Sequence, residues 1–162
     1  RTETALKIIK ECSPAVIRGN ASEIMALIGN ESNTKGVDSI SSPEAALNAA
    51  TSLAQETGAV IVISGPIDYV IDNLFVIKVK NGSPMMRKVT GMGCSATALI
   101  GAFVAVNNNI HAASAHAMTV MGIAGEIAAD KSTGPGSMQT NFLDALYTLS
   151  DKEIISRYNV ES

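Results

Sequence analysis

In the first turns of the chain, Ala5, Ile8, Ile9 and Cys12 stand at i, i+3, i+4 and i+7 with charged residues between them. That is the period of one helical face, and it predicts an amphipathic helix over 2–12, broken by Ser13-Pro14. Ala15-Val16-Ile17 predicts a short buried strand. Arg18-Gly19-Asn20-Ala21-Ser22-Glu23-Ile24 then turns from strand into helix. Residues 30–42 are polar and contain glycine, so they predict a surface loop, with Lys35-Gly36-Val37-Asp38 as a turn within it. Pro43, following Ser42, opens a second amphipathic helix over 43–57, and Gly58 stands just past its end as a terminator. Ala59-Val60-Ile61-Val62-Ile63-Ser64 is a continuous, mostly β-branched run, the pattern of a central parallel strand buried on both faces. Asp68-Tyr69-Val70-Ile71 and the run 74–80, joined by Asp72-Asn73, predict a β-hairpin on a two-residue turn.

The second half is more helical. A basic approach (Arg87, Lys88) leads into Val89-Thr90-Gly91-Met92-Gly93-Cys94-Ser95-Ala96-Thr97-Ala98 and then into an apolar run to residue 106. Two glycines followed by such a run predict a tight turn that opens a buried helix. Residues 111–130 predict a long helix rich in Ala and Met, residue types suited to core packing. Ser132-Thr133-Gly134-Pro135-Gly136-Ser137 predicts a loop, either a plain turn or the wall of an adenine pocket, leading to a helix over 141–149. A short helix and a tail follow from 151. Strands separated by helices predict a three-layer α/β sheet and a single domain portion over 1–162.

Composition narrows the function. Hydrophobic residues make up 46% of the 162, yet aromatics only 4%, with no Trp, so the core is built from aliphatic and small side chains. The net charge is −3 and basic residues form no stripe, which argues against nucleic acid as a partner. No apolar stretch is long and charge-free enough to predict a membrane span; 110–130 comes closest, but it contains His111, His116, Glu126 and Asp130. Two cysteines, Cys12 and Cys94, do not make a disulfide framework, and the expectation is a reducing cytoplasm. The chain opens on Arg1 inside a helical pattern, as an internal point of a longer polypeptide would.

The candidate chemistry sits at the strand-to-helix turns. Gly91 and Gly93 allow positive φ and close approach, and the first amides of the following helix favour an anion such as a phosphate. Cys94 stands at that first turn, either as a small packing residue or as a group facing a ligand. The loop is not a Walker A motif, lacking the Lys-Ser/Thr, nor a dinucleotide fingerprint, lacking the third glycine. Asn20 and Glu23, three apart, have the spacing of a capping box. Asn and Glu at the end of a strand beside Arg18 also suit a hydrated Mg²⁺ and a phosphate chain. Ser64 ends its strand where α/β sheets bind ligands, and it either satisfies a turn or contacts a phosphate. His111 and His116, five apart, do not share a helical face as a metal pair would.

Taken in order, Asn20-x-x-Glu23, Ser64-Gly65 and Thr90-Gly91-x-Gly93-Cys94 resemble the ribokinase-like fold, and more closely the hydroxyethylthiazole kinase family. Ile17-Arg18-Gly19-Asn20-Ala21-Ser22-Glu23-Ile24 is the most specific match, supported by Gly134-Pro135-Gly136-Ser137, and the resemblance covers nearly the whole chain. It implies transfer of phosphate from ATP to the hydroxyl of 4-methyl-5-(2-hydroxyethyl)thiazole in thiamine salvage. Arg18 and Ser64 would bind ATP, Ser64 replacing a more usual Thr. Asn20 and Glu23 would organise Mg²⁺, through water. Gly91 would contact the thiazole, and the amides of Gly91, Met92, Gly93 and Cys94 would form the anion hole, Met92 replacing a usual Thr or Ala. Cys94 would assist deprotonation of the alcohol, where most ribokinase-like enzymes carry Asp. The resemblance further implies a homotrimer with sites between subunits, and an N-terminal portion, absent from this chain, that carries the first strands and part of the thiazole site. The competing expectations are a kinase for another small alcohol, such as a pyrimidine or sugar, a catalytically incomplete nucleotide-binding fragment, and a redox protein using Cys94.

Overall fold

The computed structural model describes residues 2–29 and 43–162. The loop expected over 30–42 lies outside the described residues. In chain order the elements are α1 (Thr2–Cys12), β1 (Val16–Asn20), α2 (Ala21–Ile28), α3 (Pro43–Thr57), β2 (Val60–Ser64), β3 (Asp68–Ile71), β4 (Val76–Val79), a single 3-10 turn (Met86–Lys88), α4 (Met92–Val104), α5 (Ile110–Asp130), α6 (Pro135–Thr148), α7 (Asp151–Arg157) and β5 (Val160–Glu161). They fall into two compact units, Arg1–Gly65 with Tyr69–Val76, and Pro66–Asp68 with Ile77–Ser162.

In the first unit β1 runs parallel to β2, in register from Val16 opposite Val60 to Asn20 opposite Ser64. β1 therefore extends three residues beyond the apolar run that predicts it, because the β2 backbone supplies a ladder to Arg18, Gly19 and Asn20 whatever their side chains. β2 is buried from Val60 to Ile63, as its composition predicts. It is parallel to one neighbour only. β3 lies antiparallel to it, Ile61 opposite Ile71, since a link of three residues cannot make the long crossover that a parallel pair needs. Helices α2 and α3 cover one face, where Ile17, Ile24, Ala50, Leu53, Ile61, Ile63 and Ile71 form the core. Gly58 ends α3 with φ +71 and donates its N–H to Ala54 O (2.8 Å). The expected two-residue turn after β3 is instead a four-residue link. The Asp72 carboxylate Oδ1 accepts from the amides of Leu74 (2.8 Å) and Phe75 (2.7 Å), which holds the chain in a wider turn. α1 buries no residue fully, and its apolar face lines an open groove of about 600 Å³ with β1 and α2.

The second unit is built on α5. Thirteen of its 21 residues are buried, so it is enclosed nearly all round, and it packs against α4, α6 and α7. Its Ser114 and Thr119 hydroxyls donate to Ile110 O and Ala115 O (both 2.8 Å), which satisfies them without outside partners. Small residues let neighbouring backbone come close. A Cβ at Gly122 would lie 2.6 Å from Asn81 Cβ and 2.7 Å from the Asn81 carbonyl, while the three atoms nearest a Cβ at Gly125 all belong to the Met86 side chain.

Three expectations for this half are corrected. The helix after the glycine turn is not buried: of α4 only Ala96 and Ile100 are, and Ala98, Gly101 and Ala102 face solvent. Its partner α5 touches one side only, and burial is decided by neighbours rather than by composition. α6 begins at Pro135, six residues before the predicted helix, because proline at the first helical turn is already set at the right φ. The tail contains a strand: β5 pairs antiparallel with β4, Val160 opposite Val79, and Glu161 forms an ion pair with Lys80. The hydrogen bond and charge of Lys80 hold the Glu161 carboxyl below the usual carboxylate range. Two residues are too short to show a strand period. Ser150 caps α7, accepting from the Glu153 amide (3.4 Å), and Glu153 Oε2 accepts from Ser150 Oγ (2.7 Å) and from Ser150 N (2.9 Å); these two bonds, the hydroxyl's first, lower the Glu153 pKa.

Gly122 and Gly125 give a graded test of this packing. Gly122→Ala drives a methyl into the backbone of Asn81 and should destabilise the intact protein by ~1–3 kcal/mol, the usual range for overpacking. Gly125→Ala meets a flexible side chain end and should cost clearly less. Urea midpoints of the two variants check the order; equal losses would contradict it.

Candidate functional site

The first set of expected site residues comes together where β1 passes into α2. Asn20 is the N-cap of α2, with extended backbone (φ −77, ψ 171). Its Oδ1 accepts from the Glu23 amide (2.9 Å) and from the Ser22 hydroxyl (2.7 Å), and its own amide donates to Glu23 Oε2 (2.8 Å). The capping box that the spacing predicts is thus formed, with Ser22 as a third member that the spacing rule does not include. Arg18 and Ser64, 46 residues apart in sequence, meet because β1 and β2 run parallel with Asn20 opposite Ser64. Arg18 Nη2 donates to Ser64 Oγ (2.7 Å), and Ser64 Oγ donates weakly to Gly19 O (3.4 Å). A cation, a carboxylate and two hydroxyls therefore share the C-terminal end of a two-strand parallel ladder, the position at which open α/β sheets bind ligands.

The second set lies in the other unit. Gly91 is the N-cap of α4 with φ 92 and ψ −9, the left-handed region in which only glycine is unstrained. A Cβ there would meet nothing within 4 Å, so conformation, not space, requires the glycine. Gly93 has no positive φ and belongs to the first turn of α4. As a glycine, the N-cap residue supplies no side-chain cap of its own, and the amides of a first helical turn have no partner within the helix. Gly91 O accepts the first helical bond from Ser95 N (2.9 Å) and a second from Ser95 Oγ (3.2 Å). Cys94 is exposed in this chain. Met92 is half-buried.

The approach to this turn is anchored by residues the sequence reading passed over. Asn81, 5% exposed, donates from Nδ2 to Glu126 Oε1 (2.9 Å) and to Arg157 O (2.7 Å), and its Oδ1 accepts from Asn159 N (3.1 Å). Glu126 Oε1 also accepts from Gly82 N (2.9 Å), and Arg157 pairs with Glu126 (3.6 Å) and Asp130 (3.0 Å). The 3-10 turn then carries Arg87 and Lys88 up to Val89, which is buried. Asn81-Gly82-Ser83-Pro84 has the look of an ordinary turn, and nothing local reveals that its first residue is a buried node. At the other expected site, 132–137, the Ser137 hydroxyl accepts from the amides of Thr133 (3.2 Å) and Gly134 (3.3 Å), and Asn141 Nδ2 donates to Lys131 O (3.1 Å) and Ser132 Oγ (2.8 Å). That segment is a well-bonded entry to α6. Among the described residues no cluster of three or more His, Cys, Asp or Glu suited to a metal ion is found, and no helix is long and apolar enough to cross a membrane.

Comparison with known proteins identifies relatives over nearly the whole chain. The profile of the hydroxyethylthiazole kinase family matches residues 1–152. The chain is 50% identical over 161 residues to a hydroxyethylthiazole kinase of Vibrio atlanticus, covering 99% of this chain and 60% of that protein. A hydroxyethylthiazole kinase of Syntrophus aciditrophicus is 47% identical with the same coverage. The solved structure of a hydroxyethylthiazole kinase protein from Pyrococcus horikoshii superposes with a TM-score of 0.87 at 32% identity, covering 99% of this chain and 59% of that one. The chain thus spans about 60% of the length of these relatives. Its architecture is an α/β, ribokinase-like fold with a mixed sheet flanked by helices, and the chain belongs to the hydroxyethylthiazole kinase family.

Proposed function

We propose that this chain carries the nucleotide-binding and phosphoryl-transfer elements of a kinase that phosphorylates 4-methyl-5-(2-hydroxyethyl)thiazole with ATP. The observation that supports this most is the family match over 1–152 combined with an intact Arg18, Asn20, Glu23 and Ser64 constellation and an open, glycine-started α4. Arg18 takes the ATP phosphates, oriented by Ser64. The amides at residues 91–94 take the charge of the transferring phosphoryl group, and Gly91 borders the thiazole. In the transfer, the alcohol oxygen forms a bond to the γ-phosphorus while the bond from that phosphorus to the bridging oxygen of ADP breaks. Cys94, exposed at the first turn of α4, accepts the alcohol proton as its thiolate and becomes the thiol.

The donor set at the α2 cap fits Mg²⁺ at one remove. Its atoms are hard oxygens, as Mg²⁺ prefers. Asn20 Oδ1 already accepts two hydrogen bonds and Glu23 Oε2 one, so contact through bound water suits the cap better than direct ligation. Mg²⁺ held there would offset charge on the phosphates. The reading includes a homotrimer and a further N-terminal portion that completes the acceptor site. Leu143, Tyr147 and Ile155 are exposed large apolar residues in the second unit, which supports assembly. A catalytically silent nucleotide-binding role is the second reading, and the share of its relatives that the chain spans keeps it open.

Three outcomes check this. In a panel of thiazole, pyrimidine and sugar alcohols with Mg-ATP, the intact enzyme should prefer the thiazole alcohol; a clear preference for a sugar would sink the assignment, and nucleotide binding without turnover would favour the second reading. Glu23→Gln should reduce turnover and raise the Mg²⁺ requirement with the fold intact. If Glu23 serves only the cap, the change should spare activity and cost a fraction of the ~1 kcal/mol typical of caps. For Cys94, replacement by Ala removes a base whose contribution is typically ~10²- to 10⁴-fold, so turnover should fall within that range with ATP affinity unchanged. Cys94→Asp should retain activity, because a carboxylate is favoured at a helix start and can accept the proton. Steady-state rates for Cys, Asp, Ser and Ala at this position decide it; Asp as poor as Ala would return Cys94 to a bystander.

A further inference from the structure

We infer that Gly19 is a positioning residue, whose missing side chain seats the carboxylate of Glu23 against the strand. Glycine is not required at this position by backbone conformation. It lies within β1, paired with Ile63, and among the described residues the positive φ values of glycines belong to Gly58, Gly82 and Gly91. Glycine within a strand weakens it and marks a close approach, and the approach here is specific. A Cβ at Gly19 would stand 3.0 Å from Glu23 Cβ, 3.2 Å from Glu23 Oε2 and 3.3 Å from Ile24 Cδ1.

These distances are tighter than ordinary van der Waals contact, so one neighbour must give way. Ile24 is 1% exposed and belongs to the core of α2, α3 and the sheet, where displacement meets packed atoms on every side. Glu23 is exposed, so its carboxylate has room to move, while its Cβ is held by the α2 backbone and can give only by a few tenths of an ångström. A methyl group at position 19 therefore pushes the carboxylate off the Asn20 amide, where Oε2 now accepts at 2.8 Å. The capping box would be left half-formed, and the direction in which the anion faces would change. The carbonyl of the same residue accepts the Ser64 hydroxyl that orients Arg18. Gly19 thus lies between the anionic and the cationic arm of the site, with no polar side chain of its own. The functional consequence rests on the proposed role of Glu23 with Mg²⁺, whereas the seat itself rests on geometry alone.

The test compares Gly19→Ala, Glu23→Ala and the double variant in the intact protein, with two readouts. The first is the hydrogen-exchange protection of the Asn20 amide relative to the intrinsic rate of each sequence, which reports its bond to Glu23 Oε2. The second is the Mg²⁺ concentration for half-maximal kinase rate. Gly19→Ala should lower the protection of the Asn20 amide and raise the Mg²⁺ requirement several-fold in the parent, and should change neither in the Glu23→Ala background. If the protection is kept in Gly19→Ala, or falls equally in both backgrounds, Gly19 does not act through Glu23 and the inference is overturned. If the protection falls only when Glu23 is present but no variant alters the Mg²⁺ requirement, the seat stands and the metal role of Glu23 falls. Should Gly19→Ala fail to fold, Ile24→Val removes the crowding Cδ1 atom, and the same comparison in that background carries the test.

Discussion

The buried amide of Asn81 is the interaction on which the second unit depends. It joins four pieces of chain that are distant in sequence: the exit of β4, Glu126 in the middle of α5, the end of α7 at Arg157, and Asn159 at the entry to β5. A buried amide left without partners costs ~1–3 kcal/mol, so all of its bonds must form together or the arrangement is lost. The glycines of α5 make this possible. Gly122 allows the Asn81 backbone to lie against the helix, which places the amide within reach of Glu126. The chain that leaves this node is the one that climbs through the 3-10 turn to Gly91. The glycine turn is thereby fixed on its upstream side by a polar node and on its downstream side by α4 packed on α5.

In the first unit, the atoms that stabilise a helix start are those the proposed chemistry would use. The capping box at Asn20 and Glu23 satisfies amides that α2 would otherwise leave unbonded. It also holds an amide oxygen and a carboxylate at the end of β1. The structural and functional readings of this motif are therefore not rivals, since a carboxylate immobilised by its cap is a better-defined anion than one on a free side chain. The same bonds limit what the site can do. Oxygens already engaged in the cap are poor direct metal ligands, which is why a water-mediated contact suits them.

The exposed face of α4 has a different cause. Ala98, Gly101 and Ala102 are small, so their exposure leaves little apolar area in water per residue, roughly in proportion to surface at ~25 cal/mol per Å². A helix with larger side chains on that face would be far less tolerant of standing open. In this chain, small residues leave little apolar area open on one side of the helix while Ala96 and Ile100 secure the other.

By itself the sequence determined what depends on neighbours along the chain. The 3.6-residue period over Thr2–Cys12, the Pro43 start and Gly58 stop of α3, the β-branched strand run of β2 and the capping box of Asn20 are all set within a turn or two, so local pattern suffices to read them. The need for glycine at residue 91 is of the same kind, since a helix start in the left-handed region excludes other residues wherever it occurs. Tertiary structure alone decided what depends on partners far along the chain. The meeting of Arg18 with Ser64 follows from strand pairing, the extension of β1 to Asn20 from the β2 ladder, and the pairing of β5 from an edge that β4 offers. The burial of Asn81, the space taken from Gly19 and the open face of α4 belong to the same class. Each is a fact about which surface comes to lie against which, and no periodicity in a single stretch encodes it, because burial and hydrogen-bond partnership are properties of two segments rather than one.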